Sequence, residues 1–565
     1  MHISYPKALL GAVCATALGA CAAAGSPAPT RGGAATLIAG PLGAPAALSV
    51  QDLGAMLRRD FSGQPTLEAL IGKPVCGVRV YKFSYATVGG EGEHTDASGA
   101  LMVPSGGAAR CHGARPIVLY THGTAINHAE DLSAVTDPGN PAYGTATRVA
   151  LVFAAHGYVA VAPNYAGYDL STLRYHPYLN RAQQSRDAID SLTAARQLLR
   201  RIGGSTRDDG RLFVTGYSQG GFVSMATLRA LDRRGTPATA GAPMSGPYAL
   251  LAMADEIYLG HPDFGGTAYL PLVVNSYAHL EHGSIDPQQV FSRRFRDAAS
   301  LFPGPRGFRD FAKLVAAGKL PANALFQSRS PAPGAPGFSA TRYPALAALP
   351  EGGPLFRAGF DPSAYLVSTA FRAAYVADVE AHPDHAAPPA DSGPDPSGTV
   401  PTLPADPQLL MRRDAKANDL RNYTPSMPLL MCGGHADPEV FWQQGAGAMT
   451  AVLRTKIATD PKLRFATVDL DVSAGTRGTY VEHGIGAARD TALHRIAARL
   501  QHAFTAYQHG VATARGPEVG MEAYHTDATP YCMVLARSFF DRYRHRTTPS
   551  TEASLNTRGS KESIQ

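Results

Sequence analysis

One short segment of the sequence has the residue types and spacing of an activated serine. Residues 216–220 read Gly-Tyr-Ser-Gln-Gly, follow an apolar run that suits a strand, and precede a helical pattern at 222–231. This is the strand-turn-helix context of a nucleophile elbow. Gly216 and Gly220 permit a turn in which larger side chains would clash, and the turn holds the serine in strained backbone at a helix amino terminus. The pattern predicts nucleophilic attack by Ser218 on a carbonyl carbon.

The serine needs a base and an acid, because its hydroxyl is a poor nucleophile without them. In this context the expected chain order is serine, then acid, then histidine. Asp437 lies just past an apolar run at 428–432 that suits a strand, so it is predicted to be the acid that fixes the imidazole tautomer. His483 lies in a loop beyond the next such run, at 463–468, and is predicted to be the base.

Other residues compete for both roles. Asp469 and Asp471 also follow a strand, but they follow the later one. His435 competes as the base, although it precedes the predicted acid. The remaining downstream histidines are His494, which lies in a helical pattern, and His502, His509 and His525.

Two backbone N–H groups are needed to stabilise the oxyanion that forms during the attack. The first is predicted at Gln219, directly after the nucleophile. The second is predicted at Thr124, in the loop after the first central strand, where His122 and Gly123 form the His-Gly pair usual at this place. The sequence has no H-E-x-x-H, no C-x-x-C and no Gly-rich dinucleotide fingerprint, so no metal or organic cofactor is predicted.

The elements that would position these residues alternate along the first half of the chain. Short apolar runs bounded by turn residues lie at 78–88, 117–120, 158–162 and 212–214. Apolar residues from Ala188 to Leu199 fall on one helical face, and Gly203 ends that helix. Buried strands joined by helices predict an α/β fold with a doubly wound, mostly parallel sheet.

The alternation stops after Gly246. Residues 250–410 contain helical patches without a clear buried strand, and a structureless loop of that length would be improbable. A mostly helical inserted cap domain is therefore predicted, lying over Ser218 and shaping an apolar acyl pocket. The apolar residues expected in the cap core or the pocket lining are Tyr258, Tyr269, Leu270, Leu272, Val273, Val274, Phe302, Phe308, Phe311 and Leu314.

The composition and the amino-terminal segment bound the class of protein. The 565 residues are 45% apolar and 17% charged, which is a globular composition. A net charge of +6 without a Lys/Arg run or a nucleic-acid motif argues against nucleic acid as a partner. Residues 8–18 are apolar but too few to span a bilayer, so they are interpreted as a targeting segment.

Residues 18–21, Leu-Gly-Ala-Cys, resemble the lipobox of bacterial lipoproteins. The resemblance implies cleavage before Cys21, acylation of Cys21 and attachment to a membrane of the bacterial cell envelope. The alternative is a plain secretory signal that is cut nearby. Either reading implies export.

Export favours disulfides over free thiols. Apart from Cys14 and Cys21, four cysteines remain, and four cysteines allow three pairings. Cys76 is predicted to pair with Cys111 and Cys432 with Cys532, because each pair lies in one half of the chain; the alternative is free buried thiols. The four cysteines of these two predicted pairs are Cys76, Cys111, Cys432 and Cys532.

Together these pieces resemble the α/β-hydrolase superfamily, and within it the secretory lipase type that includes fungal lipase A enzymes and related bacterial esterases. The matching segments are 120–124, 157–165, 216–221, 428–437 and the loop at His483, within a resemblance that covers about 70–250 and 415–540. That family has a cap between its serine and acid segments. Asn164 departs from the aspartate that many relatives carry and is interpreted as structural.

The resemblance implies a serine esterase or lipase that forms an acyl-enzyme from a small-molecule or lipid ester. A peptidase or acyltransferase on the same fold is the near alternative, and a non-catalytic surface binding protein is the distant one. The expected organisation is a signal peptide with anchor cysteine at 1–21, a flexible tether at 22–50, an α/β-hydrolase core at 51–250 and 411–545, a cap at 251–410 and a disordered tail at 546–565.

Overall fold

The computed structural model describes residues 36–280, 285–305, 307–329, 354–384, 406–472, 480–485 and 492–544, and every structural statement below concerns these residues. The predicted signal peptide with Cys21, the first part of the predicted tether and the predicted tail lie outside them.

Eleven strands of the described chain form one sheet. They are β1 (Leu37–Ala39), β2 (Ala46–Leu48), β3 (Gly77–Val88), β4 (His94–Ser105), β5 (Gly113–Thr121), β6 (Val159–Pro163), β7 (Thr206–Tyr217), β8 (Ala240–Met244), β9 (Leu429–Gly433), β10 (Phe465–Asp469) and β11 (Tyr480–His483). The order across the sheet is β1-β3-β4-β6-β5-β7-β8-β9-β10-β11, with β2 also pairing with β3. From β6 to β10 neighbouring strands are parallel, and the strands on both flanks are antiparallel.

Helices connect and cover these strands. They are α1 (Val50–Phe61), α2 (Pro65–Ile71), α3 (Tyr143–Val152), α4 (Arg181–Ile202), α5 (Gln219–Arg233), α6 (Leu250–Leu259), α7 (Gly266–Tyr277), α8 (Pro287–Val290), α9 (Phe311–Ala316), α10 (Pro354–Ala358), α11 (Thr369–Ala381), α12 (Leu410–Asn418), α13 (Ala446–Lys456), α14 (Ala492–Arg515) and α15 (Pro517–Asp541). In the described ranges, no helix combines the length and the apolarity that a membrane span requires.

Both faces of the central strands are buried, which explains their near-continuous apolar sequence. Along β5, Ile117 and Leu119 belong to one hydrophobic cluster, and Val118 and Tyr120 belong to the other. Helices α4 and α5 contribute to the first cluster, while α3, α14 and α15 contribute to the second. The predicted doubly wound, mostly parallel sheet is confirmed.

Several strands of the sheet are not evident from the sequence. β4 begins with the mostly polar residues 94–98 and has its apolar run only at 100–103, and β8 is Ala-Gly-Ala-Pro-Met, so neither is apolar throughout. β1 and β2 have three residues each, too few to carry a period of two. Because both pair with β3, the prediction of a flexible tether at 22–50 is wrong for residues 37–48.

Between β8 and β9 the described residues form helices α6 to α12 and add no strand to the sheet. Tyr258 on α6 and Leu272 on α7 belong to the same hydrophobic cluster as Val214 of β7. The inserted residues therefore share their core with one face of the sheet. Most of the Pro-, Gly- and Ala-rich stretches at 329–354 and 382–407 lie outside the described residues.

The two predicted disulfides, Cys76 with Cys111 and Cys432 with Cys532, are confirmed. The second joins β9 to α15 across 100 residues of sequence. Since β9 leads to Asp437, this bond attaches α15 to the strand that precedes the predicted acid.

Candidate active site

Ser218 occupies the turn between β7 and α5. Its φ of 61° and ψ of −127° place a non-glycine residue in strained backbone, as the elbow pattern predicts. The Ser218 N–H donates to the carbonyl of Met244, at the carboxyl end of β8, over 3.0 Å. Strand β7 and helix α5 therefore hold the hydroxyl at the carboxyl edge of the parallel strands, where α/β sheets bind ligands.

The two glycines of the elbow lie against the backbone of β5. A Cβ atom at Gly216 would be 2.3 Å from the carbonyl oxygen of Thr121, and a Cβ atom at Gly220 would be 2.0 Å from the same oxygen. Real Cβ atoms do not approach an oxygen this closely, so both positions require glycine. The close approach of the Thr121 carbonyl oxygen is therefore the physical reason for glycine at Gly216 and Gly220.

Replacing Gly220 by alanine is expected to destabilise the fold by about 1–3 kcal/mol or more and to lower activity, because Thr121 leads directly into the loop carrying Thr124. Gly144, near the start of α3, is the matched control, since a Cβ atom there meets nothing within 4 Å. Gly144→Ala should be neutral or stabilising. Urea unfolding of both variants tests this, and a Gly220→Ala protein as stable as the wild type would contradict it.

Asp437 lies four residues beyond the end of β9 and is buried. Its Oδ1 accepts hydrogen bonds from the N–H groups of Glu439 and Val440 over 3.0 and 3.1 Å. Its Oδ2 accepts the hydroxyl of Ser245 over 2.9 Å and faces the Nδ1 of His525 at 2.6 Å. These four contacts fix the carboxylate in one orientation and direct it at a histidine.

His525 is the histidine that Asp437 contacts. It lies on α15, and its imidazole ring is buried. Because Nδ1 donates to the carboxylate, Nε2 is left as the acceptor, and Nε2 has no hydrogen-bond partner in the described chain. The Tyr217 hydroxyl donates to the His525 carbonyl over 2.7 Å, and the two rings lie 4.9 Å apart. His525 is thus held by the residue that immediately precedes Ser218.

The prediction of His483 as the partner of Asp437 is wrong. His483 ends β11, which runs antiparallel to β10, and it pairs with Phe465, the first residue of β10. Asp437 and Ser218 lie beyond the carboxyl ends of β9 and β7. An antiparallel edge strand ends at the opposite edge of the sheet, so β11 carries His483 away from the acid.

His525 had a weak sequence signal. It lies inside a 25-residue helix, whereas the chain order predicts a base in a loop after a strand. The signal that could have found it is Cys532, seven residues later, because the predicted bond to Cys432 brings this segment beside the acid strand. The rival acids have other contacts. Asp469 accepts the His435 N–H over 3.0 Å, and Asp471 accepts the Tyr524 hydroxyl over 3.4 Å.

Gln219 and Thr124, the predicted oxyanion donors, line the same cavity as Ser218. In the described part of the chain, neither backbone N–H donates to a protein acceptor. The Gln219 amide lies 2.7 Å from His176 Nε2, and the Thr124 hydroxyl lies 2.8 Å from the hydroxyl of Tyr178. Both loops are therefore fixed by their side chains while their N–H groups stay free for a ligand.

His122 and Asn164 have buried polar contacts near the loop of Thr124, the predicted oxyanion donor. The His122 ring faces the Gly123 carbonyl at 2.7 Å and stacks on Tyr165 with a centroid distance of 4.2 Å. Burial lowers the pKa of His122 to about 4, so the ring is neutral near pH 7. The buried Asn164 side chain bonds to Ser98 and to the N–H of Leu132, which agrees with its structural interpretation.

The charges around His525 set its protonation. Burial alone would lower the pKa of the imidazole, but the charges of Asp437 and Glu439 and the hydrogen bond to Asp437 outweigh burial and raise the pKa to about 9. A protonated imidazole cannot accept a proton from a serine. The two carboxylates therefore favour the protonated, non-basic form of His525.

We expect kcat/KM for ester hydrolysis to rise with pH and to level off above about 9, because His525 must lose its proton to act as a base. Glu439→Gln should shift the profile to lower pH, since the Glu439 charge contributes to the raised pKa of His525. Stopped-flow assays from pH 6 to 10, with Ser218→Ala as the blank for spontaneous hydrolysis, test this. A wild-type profile already level at pH 7 would contradict it.

A cavity of roughly 870 Å³, including its mouth, opens beside Ser218. Its walls come from the elbow, from the Thr124 loop and from helices α6 and α7. Four of the apolar residues predicted for the cap line it, namely Tyr258, Tyr269, Leu270 and Val273. Phe302 and Leu314 are instead buried in the hydrophobic cluster, with Phe311 packed partly buried against it. Within the described chain, no group of His, Cys, Asp and Glu is arranged to hold a metal ion.

The fold is shared with solved hydrolases. The rice cell wall degrading esterase LipA from Xanthomonas oryzae, in a ligand-bound form, matches with a TM-score of 0.59 over 90% of this chain and 99% of its own, at 21% identity. A Legionella pneumophila protein described provisionally as a hydrolase matches with a TM-score of 0.55 over 91% of this chain and 99% of its own, at 18% identity. The chain therefore has the α/β-hydrolase fold.

Other comparisons are narrower. Residues 145–265, which include the elbow, match the prolyl oligopeptidase family, Peptidase_S9. Candida antarctica lipase A has a TM-score of only 0.36 at 12% identity, so membership of a lipase A family stays a prediction. A search of curated protein sequences finds no match.

Proposed function

We propose that this α/β-hydrolase chain is a serine carboxylic-ester hydrolase, an esterase or lipase, with Ser218 as nucleophile, His525 as base and Asp437 as acid. The observation that carries the proposal is the Asp437–His525 hydrogen bond of 2.6 Å, made by a histidine that contacts Tyr217, the residue next to the strained Ser218. A purely structural or binding protein has no need for a strained serine, a buried acid and a buried histidine with a free Nε2 at one sheet edge.

In the proposed reaction, His525 Nε2 takes the Ser218 proton while the serine oxygen attacks the ester carbonyl carbon. The N–H groups of Gln219 and Thr124 stabilise the oxyanion, and Asp437 stabilises the imidazolium. The imidazolium then gives its proton to the leaving alcohol, and an acyl-enzyme remains. Water, deprotonated by His525, releases the acid and restores Ser218.

A peptidase is the second candidate, because the prolyl oligopeptidase family matches residues 145–265. An ester is favoured by the apolar cavity beside Ser218, and the whole-chain likeness to an esterase adds support. We further propose export and lipid anchoring through Cys21, since two disulfides agree with an oxidising compartment. The helices between β8 and β9 are proposed to act as the cap that selects the acyl group.

The test measures hydrolysis of p-nitrophenyl esters of rising chain length beside matched peptide p-nitroanilides. We expect ester hydrolysis that exceeds amide hydrolysis, and labelling of the protein by a fluorophosphonate at Ser218. Ser218→Ala should lose the labelling and at least about 10³-fold in kcat. Faster cleavage of the anilides would favour the peptidase, and a fully active Ser218→Ala protein would refute both.

A further inference from the structure

The apolar cavity beside Ser218 contains two buried carboxylates that the proposed reaction does not use as acid or base. Asp263, three residues before α7, is 7% exposed, and Glu439, two residues after Asp437, is 8% exposed. Both line the cavity together with Ser218. Carboxylates in an apolar wall are costly unless a positive or hydrogen-donating group meets them.

Glu439 accepts a hydrogen bond from a side chain, whereas Asp263 does not. The hydroxyl of Tyr269 donates to Glu439 Oε2. No side chain of the described chain donates to the carboxylate of Asp263 or forms an ion pair with it. Asp263 is thus a polar group more than nine-tenths buried that borders the cavity without a protein counter-charge.

Aromatic rings and the absence of cations define the rest of the wall. Tyr178, Tyr258, Tyr269 and Phe326 all line the cavity. Among the described lining residues there is no lysine, arginine or histidine. Aromatic faces attract organic cations, and aromatic cages commonly bind quaternary ammonium groups. Arg372 lies over the ring of Phe326 at 4.0 Å, and the charge of His525 acts on Glu439. The wall therefore combines the tyrosine rings with one carboxylate, Asp263, that has no counter-charge from the described chain.

The electrostatics of Asp263 favour the binding of a cation. Burial, together with the nearby charge of Glu439, raises the pKa of Asp263 to about 8. A carboxyl with this pKa can be neutral near pH 7 by holding a proton. An arriving cation would favour loss of that proton, because an opposite charge stabilises the ionised carboxyl.

We propose that this cavity selects esters that carry an organic ammonium group, with Asp263 and the surrounding rings as the cation subsite. This rests on the proposed esterase function, which it deepens by naming a substrate class. The cation can belong to either side of the ester bond, since one cavity borders Ser218 and both oxyanion donors. Trimethylammonium is the simplest group with this chemistry.

The experiment compares charged and uncharged esters of the same shape. One pair is choline butyrate and 3,3-dimethylbutyl butyrate, in which a carbon atom replaces the ammonium nitrogen of choline. The other pair is two p-nitrophenyl esters whose acyl chains end in trimethylammonium or in tert-butyl. In the wild type, kcat/KM for the charged member should exceed that for the neutral member by about tenfold or more in at least one pair.

The variant Asp263→Asn should bring that ratio close to one, because the amide keeps the shape and removes the charge. Asp60→Asn, at a surface carboxylate paired with Arg59, is the matched control and should keep the wild-type ratio. Ratios near one in both wild-type pairs, with the neutral esters hydrolysed, would overturn the cation subsite and leave the esterase standing. Hydrolysis of none of the four esters would instead refute the esterase. The wild-type comparison decides the proposal even if Asp263→Asn does not fold.

Discussion

Replacing His525 by alanine is expected to lower kcat for ester hydrolysis by at least about 10³-fold. The imidazole is the group that Asp437 contacts, and its Nε2 has no partner in the described chain, so its loss removes the proposed base. Steady-state hydrolysis of p-nitrophenyl butyrate at pH 9 measures the loss. Circular dichroism should show an unchanged fold, because the substitution leaves the helical backbone of α15 in place.

His483→Ala is the matched control for this prediction. His483 pairs with the start of β10, at the edge of the sheet away from Asp437, so its removal should change kcat less than about threefold. Comparing the two variants tests whether the base is His483, which the chain order predicts, or His525, which Asp437 contacts. A folded His525→Ala protein with near wild-type activity, or an inactive His483→Ala protein, would sink the proposed triad.

Replacing Asp437 by asparagine is expected to lower kcat by about 10⁴-fold. An amide can hydrogen bond to His525 but cannot balance the imidazolium charge, and its NH₂ group would favour the wrong imidazole tautomer. The contacts from Glu439, Val440 and Ser245 hold this carboxylate firmly, so the change should act on chemistry more than on position. The pH profile adds a second readout, since loss of the charge should also lower the pKa of His525.

Asp469→Asn and Asp471→Asn are the controls, because both follow a strand as Asp437 does. Asp469 contacts His435, and Asp471 contacts Tyr524, whereas Asp437 contacts His525. We expect each control to keep more than about a tenth of the wild-type kcat. If either control were the inactive protein and Asp437→Asn the active one, the acid would be misassigned.

The central strands, the elbow glycines and Asp437 could be predicted from the sequence, because local chemistry restricts which residues can occupy these positions. Central strands buried on both faces must be apolar throughout, so β5, β6 and β7 were recognisable as short runs. Gly216 and Gly220 were recognisable because a tight elbow admits no Cβ atom, and the contacts with Thr121 give the cause. Asp437 could be inferred because an acid directly after a strand lies at a known edge of a parallel sheet.

Only the tertiary structure decided which histidine contacts Asp437 and which buried carboxylates line the cavity. His525 lies 307 residues after Ser218, inside a helix whose local pattern is the same whether or not one member faces an acid. Its role depends on the packing of α15 against β9, which the Cys432–Cys532 bond reinforces. Asp263 and Glu439 are 176 residues apart in the sequence but line the same cavity. Their burial and raised pKa values depend on the packing of α7 over the sheet edge. Local sequence patterns reflect steric limits and the period of a strand or helix. Burial and charge at a site depend on distant segments that only the complete fold brings together.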